Sequence, residues 1–267
     1  VTKYDLSMVT STLPLVEEIL AIDIGATTIK FCRVDADGEM LESVRRRPTP
    51  YPCPPERLVE VLSERILQGA AAKVGVGFPG EFDHGHVVRP GNLSRPGGFS
   101  TDFDPDLEAQ WRGFALEDVL RERTSRDVRV VNDATLAALG CVEGVGVEVV
   151  LTLGTGLGLA LSVNGELRKV RDVGAEIFRG DSSYDEVVGE RARATDEAAW
   201  FRAVDEVIQE FAREFGAQTV HLAGGNARRV DPTNFATSAY RIVINGNQAP
   251  LRGAAKLFSS AARSTAH

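Results

Sequence analysis

The chain carries little sulfur: three cysteines and two methionines in 267 residues. Cys32, Cys53 and Cys141 are odd in number and show neither CxxC nor CxH spacing, so the sequence offers no disulfide framework and no Cys/His zinc site. Long apolar runs are also missing, since nothing approaches the roughly 18 residues of a membrane span. The opening stretch VTKYDLSMVTSTLPLVEEIL has no basic block followed by an apolar one. Neither an export signal nor an anchor is therefore expected, and the compartment is read as the cytoplasm. Positive charge is in deficit, with 30 Lys and Arg against 38 Asp and Glu for a net charge of −8. That balance argues against nucleic acid or an anionic membrane as partner, because both are held mainly by basic surface. A small molecule is the expected partner.

What is present suffices for a full core: 43% of the residues are hydrophobic. Residues 1–16 are polar and unpatterned and read as an N-terminal extension. From Ile19, ILAIDIG, TTIKFCRVD and GEMLESVRRR read as three successive strands, the last two joined at the Asp37-Gly38 turn signal. PPERLVEVLSERILQG reads as a helix opened by proline and closed by Gly69, and KVGVGFPG as a short buried strand. The stretch from Glu81 to Phe103 is rich in Gly and Pro and reads as a functional or mobile loop. A helix (FALEDVLRERTS), a strand (DVRVV) and a helix (NDATLAALG) follow. A second strand meander is then expected, followed by the helix DEAAWFRAVDEVIQEFAREFG, the strands QTVHLAGGN and YRIVIN, and a closing helix over 250–265. Strands alternating with helices, with a meander opening each half, predict an α/β protein of two related lobes, 17–120 and 121–249.

Two glycine-bearing turns, DIGATT and LGTGLG, occupy corresponding places in the two halves. A turn with few side chains leaves N–H groups to converge on an anion such as phosphate, although strand-turn glycines also serve geometry alone. Asp133 follows a buried strand and begins a helix. There a carboxylate could cap the helix N-terminus, or it could accept a hydroxyl proton as that oxygen attacks phosphorus.

AIDIGATTIK, VGVGFPGE, VVNDATLAALG, TLGTGLGLALSVNG, HLAGGNA and APLRGAAKLF, in this order, resemble the ROK family of sugar kinases. Within that family the polyphosphate and ATP glucokinases are similar. The resemblance implies a two-lobed actin-like ATPase (ribonuclease H-like) fold with the active site in the interlobe cleft and the closing helix crossing back to the first lobe. It implies phosphate loops at Gly25, Ala26, Thr27 and Thr28, with Lys30 just beyond, and at Gly154, Thr155 and Gly156. Asp23 would hold Mg²⁺ through water, Asp133 would be the general base and Asn132 would bind a sugar hydroxyl. Gly224, Gly225 and Asn226 would lie beside adenosine, and the loop carrying Asn92, Gly97 and Gly98 would cover the acceptor. The donor would be ATP or polyphosphate, the reaction phosphorylation of a primary hydroxyl, and the assembly a homodimer. A catalytically silent sugar sensor is the alternative of another class. Sensors of this family add a DNA-binding domain, which residues 1–16 are not expected to form.

Three positions depart from the family pattern. The first loop usually reads Asp-x-Gly-Gly-Thr, and Ala26 replaces the second glycine, a change of one methyl group. The family's zinc cluster of one histidine and three cysteines is missing, so no zinc is expected. Where the family has Glu-x-Gly-His to hold ring hydroxyls, this chain has Asp172 and Ala175. Losing a buried partner to a substrate hydroxyl costs roughly 1–3 kcal/mol, enough to change specificity. The favoured acceptor is accordingly a C7-cyclitol of valiolone type or a modified hexose, with glucose as the alternative. Glu176 reads either as a replacement substrate contact or as an ordinary loop charge. The stripe Trp200, Val204, Val207, Ile208 and Phe211 reads as core or dimer interface.

Overall fold

The computed structural model describes residues 17–98, 101–235 and 239–259. The expected extension at 1–16 lies outside them. Ile19–Ile24 (β1) is buried along its whole length and pairs antiparallel with Thr28–Val34 (β2), Asp23 standing opposite Lys30. Arg45–Pro48 (β3) adds a short, fully exposed edge strand. Pro55–Leu67 (α1) takes proline at its first turn and buries Leu58, Val59, Leu62 and Ile66 on the sheet. Each such side chain, once fully covered, contributes roughly 1.5–3 kcal/mol. Lys73–Phe78 (β4) then runs parallel to β1. After it come a hairpin of Glu81–Asp83 (β5) and His86–Arg89 (β6), a 3₁₀ turn at Gly91–Ser94, and the helices Pro105–Trp111 (α2) and Leu116–Thr124 (α3). Asp127–Asn132 (β7) closes the first sheet, whose order is β3-β2-β1-β4-β7.

The second half repeats the plan. Asp133–Leu139 (α4) leads to a meander of Val147–Leu153 (β8), Leu157–Val163 (β9) and Glu166–Arg168 (β10). A small hairpin, Ile177–Arg179 (β11) with Ser182–Ser183 (β12), precedes Tyr184–Val188 (α5), Glu190–Thr195 (α6) and Glu197–Phe215 (α7). Thr219–Ala223 (β13) and Arg241–Gly246 (β14) complete a sheet of order β10-β9-β8-β13-β14, and Ala249–Lys256 (α8) follows. The expected two-lobed α/β arrangement is thus present, each lobe being three antiparallel strands with two parallel ones added. The α7 stripe Trp200, Val204, Val207, Ile208 and Phe211 is fully buried on the second sheet, which makes it core.

Four expectations need correction. The first sheet runs to Asn132, past the expected division at 120, because β7 pairs with β4 rather than with the second sheet. GEMLESVRRR is strand only over its last residues. Met40 makes a lone bridge to Val34, and Glu42 bonds to the Arg33 amide and to the Arg33 guanidinium, so the chain bulges before β3 forms. The long loop after residue 80 contains a hairpin, turned at His84 and Gly85 in left-handed conformations. The closing helix stops at Lys256 and 257–259 form a turn, while 260–265 lie outside the described residues. Among the described residues no helix is long and apolar enough to cross a membrane.

The helices that end each lobe cross between the two sheets. α8 packs Leu251, Ala254 and Ala255 with Ile19, Ala21, Cys32 and Val34 of the first sheet, and with Leu136 of α4. α4 turns Ala137 and Ala138 to Val150, Ala160 and Ala223 of the second. At the crossing, a Cβ on Gly140 would stand 2.0 Å from the Ala249 carbonyl oxygen, and one on Gly253 1.9 Å from that of Leu136. Only glycine lets the backbones meet so closely. Gly140 has an ordinary helical conformation (φ −83), so Gly140→Ala tests the contact without adding backbone strain. It should lower stability by about 2–3 kcal/mol, read as a fall in the urea midpoint at unchanged m.

Candidate active site

Near its C-terminal end β1 carries Asp23, which is buried and paired with Lys30 at 2.8 Å. The turn that follows is braced from the stretch after β3. The Thr49 hydroxyl donates to the Gly25 carbonyl at 2.6 Å, the Tyr51 hydroxyl to that of Ala26 at 2.6 Å, and the Thr49 amide to that of Thr27 at 3.1 Å. The amides of Ala26 and Thr27 find no acceptor among the described residues. The same holds in the second lobe for the amides of Thr155, Gly156 and Gly225. Each lobe therefore presents a turn of unspent N–H donors, the arrangement that suits phosphate oxygens.

The glycines of LGTGLG have mixed causes. A Cβ on Gly156 would fall 2.2 Å from Asp185 Oδ1, and one on Gly158 2.1 Å from Thr152 Oγ1, so the protein's own side chains fill the space at those two. Gly154 has nothing within 4 Å of that position and faces open space. Asp185 was not visible in the sequence as a site residue, because SSYDE reads as a helix start. Ser183 and Glu186 do form a capping box there. Asp185 accepts the Leu157 amide at 2.7 Å and also crowds Gly174, joining the second turn to the segment that carries Asp172.

Asn132, not Asp133, caps α4. Its side-chain oxygen takes the amides of Ala134 and Thr135, at 2.9 and 3.2 Å, while its nitrogen donates to the Gly80 carbonyl at 2.8 Å. One N–H remains on Asn132 for a ligand. Asp133 is thereby freed from the capping role and, among the described residues, accepts only the Ala134 amide, at 2.8 Å. Burial pushes its carboxyl up, the negative charges of Asp23 and Asp172 push further, and the Ala134 bond offsets part of this, leaving a pKa of about 7. A carboxyl that titrates near neutrality at the meeting of two lobes is equipped to accept a proton.

Of the other expected site residues, Asp172 is exposed, and its negative charge helps raise the carboxyls of both Asp133 and Asp185. Ala175 is exposed beside it. Glu176 is held at 3.0 Å by Arg171, which also grips Glu214. Asn226 is buried and acts as a strut, its amide nitrogen reaching Glu190 at 2.9 Å and the Gly154 carbonyl at 3.4 Å. The Gly224–Gly225 turn thus lies against the second glycine turn. Asn92 is half-buried in the 3₁₀ turn, and the Gly97 amide donates to Thr101. Gly98 packs against the Tyr51 ring. Thr49 and Tyr51 were also missed in the sequence, where TPYPCPP signals only a turn.

The ROK family model matches residues 19–176 of the chain. A glucokinase of Thermotoga maritima is 34% identical over 171 residues, which are 60% of this chain and 49% of that protein. The matched region therefore spans about half the length of that relative. The crystal structure of an inorganic polyphosphate/ATP-glucomannokinase from Arthrobacter sp. strain KM superposes with a TM-score of 0.71 at 27% identity, covering 90% of this chain and 97% of that one. A ROK family glucokinase from Streptomyces griseus, in complex with glucose and AMPPNP, gives a TM-score of 0.68 at 19% identity, covering 90% and 98%.

The two classes of glycine separate by experiment. Gly156→Ala should destabilise the fold by about 1–3 kcal/mol through the clash with Asp185. Gly154→Ala should change stability by less than about 0.5 kcal/mol while weakening the binding of AMPPNP, measured by calorimetry.

Proposed function

The chain belongs to the ROK family, and on that premise we propose that it is a kinase moving the terminal phosphoryl group of ATP or polyphosphate to a primary hydroxyl of a sugar or sugar-like cyclitol. What supports the reading is Asp133, spared from capping by Asn132 and pushed up to about 7 by burial and by the negative charges of Asp23 and Asp172. In this reading Asp133 takes the hydroxyl proton as the oxygen attacks the terminal phosphorus in line. The bond from that phosphorus to the donor's bridging oxygen breaks, and the electron pair leaves with the shortened donor. The amides of Ala26, Thr27, Thr155 and Gly156 hold the donor's oxygens and are already oriented before charge develops. Lys30 adds positive charge beside them.

The residues fit Mg²⁺. Asp23 has one carboxylate oxygen on Lys30 and none of its remaining capacity spent on other described residues. A single carboxylate together with water and donor phosphates suits this ion. Among the described residues no three His, Cys, Asp or Glu side chains gather into a metal cluster, so Asp23 would be the protein's contribution. Bound there, Mg²⁺ would offset charge on the transferring oxygens.

For the acceptor, the favoured class is a C7-cyclitol of valiolone type or a modified hexose. Asp172 and Ala175 stand where the family has a longer acid and an imidazole. Glu176, the candidate replacement contact, is engaged by Arg171. Glucose is the second reading, favoured by the names of the relatives. The three cysteines are free, in keeping with the cytoplasm as compartment.

Initial rates with Mg²⁺ and either ATP or polyphosphate, on a panel of glucose, glucosamine and valiolone, should show the fastest turnover with valiolone. Fastest turnover with glucose would make the chain a divergent glucokinase, and none at all would leave the sensor reading. kcat/KM should climb with pH through about 7 and then level off as Asp133 deprotonates. Asp133→Asn should cut turnover by about 10²–10⁴-fold. The folded-state pKa of Asp133 lies above its unfolded value, so its ionisation costs stability as pH rises from about 4 to 7. Asp133→Asn should accordingly stabilise the fold by roughly 2–4 kcal/mol at pH 8, and this gain should vanish toward pH 4.

A further inference from the structure

We propose that Tyr51 is a positioning residue that joins the acceptor side of the cleft to the first phosphate turn, so that an acceptor seated against residues 91–98 helps set the amides that receive the donor. The inference rests on the phosphoryl-transfer reading above. Peptide planarity supplies the mechanism: a carbonyl held on one side directs the next residue's N–H to the other. The carbonyls of Gly25, Ala26 and Thr27 are all held from Thr49 and Tyr51. The N–H groups of Ala26, Thr27 and Thr28 are thereby turned the opposite way. The Tyr51 hydroxyl specifically aims the amide of Thr27.

The other end of the same side chain meets the acceptor loop. A Cβ on Gly98 would lie 3.0 Å from Tyr51 Cε2 and 3.3 Å from Cζ, so the Gly98 backbone rests directly on the ring. Gly98 is in the left-handed region (φ +66), which suits glycine and brings the loop in at that angle. Desolvation holds the Tyr51 phenol up at about 12. It therefore stays protonated, and able to donate, at any working pH. A ring under one loop and a hydroxyl under another make a single rigid lever, because the aromatic plane allows no independent motion of the two ends.

Two variants separate the ends. Tyr51→Phe keeps the ring under Gly98 and loses the hydrogen bond, whereas Tyr51→Leu loses both contacts. Tyr51→Phe should raise the KM for ATP about 3–10-fold, the loss of one hydrogen bond, and leave the acceptor KM within about twofold, as measured with glucose and with valiolone. Tyr51→Leu should raise both. Hydrogen exchange on the ligand-free proteins reads the same linkage. Residues 24–30 should exchange faster in Tyr51→Phe, and both 24–30 and 91–98 in Tyr51→Leu. An unchanged donor KM in Tyr51→Phe, or a 91–98 segment indifferent to Tyr51→Leu, would overturn the proposal. Absence of wild-type turnover with every pair would count against the kinase reading instead, and the exchange comparison alone would then decide whether Tyr51 links the two segments.

Discussion

The backbone contact between α4 and α8 is the constraint on which the remaining geometry depends. Each helix leaves the last strand of one lobe and packs on both sheets, and Gly140 and Gly253 let the two cross with carbonyls at van der Waals range of a Cα. The first strands of the two lobes are thereby fixed relative to each other. β4 accommodates the same pair: a Cβ on Gly75 would meet Ala254 of α8, and one on Gly77 would meet Leu136 of α4. A bulkier residue at any of these places would tilt α4, and the N-terminus of α4 is where Asp133 stands.

At that N-terminus the capping task falls to one of two adjacent residues. A capping side chain must spend its oxygen on helix amides, whereas a base must keep its oxygen for substrate. Asn132 does the first and ties itself to Gly80, leaving Asp133 turned into a region already occupied by the charges of Asp23 and Asp172. Such crowding of carboxylates disfavours ionisation and costs folding free energy, a strain typical of functional sites. At Glu148 the cost of burial is compensated. Burial pushes Glu148 up, but hydrogen bonds from the Glu143 amide, from His221 and from the Gly144 amide outweigh it and hold the carboxyl below its usual range. That buried group fixes the connection from α4 into β8, and so the register of the strand leading to the second glycine turn.

The two lobes use related means to tie a glycine turn to a more distant segment. In the first, Tyr51 stands between the Ala26 carbonyl and Gly98. In the second, Asp185 stands between the Leu157 amide and Gly174, two residues from Asp172. Neither side chain belongs to a glycine turn, and both come from segments that follow a lobe's strand meander. Their placement accounts for part of the glycine pattern that looks, in the sequence, like room left for a ligand.

The sequence by itself determined the local elements and the repeated lobe plan. Strand alternation, proline and glycine punctuation and apolar spacing are properties of neighbours along the chain, as in α1, with Pro55 at its start and Gly69 just after it, or in α7. It also placed Asp133 and the two glycine turns, because a strand-turn-helix junction is a local feature. Only the tertiary structure decided which residue caps α4, since Asn132 and Asp133 are both competent caps and the choice follows from the reach of Asn132 to Gly80, far away in sequence. It alone showed that Gly156 and Gly158 serve Asp185 and Thr152 while Gly154 faces open space. The roles of Tyr51 and Asp185 were likewise hidden, because each depends on contacts across many residues of chain. Such contacts form when α4 and α8 lock the sheets together, and no pattern of adjacent residues encodes them.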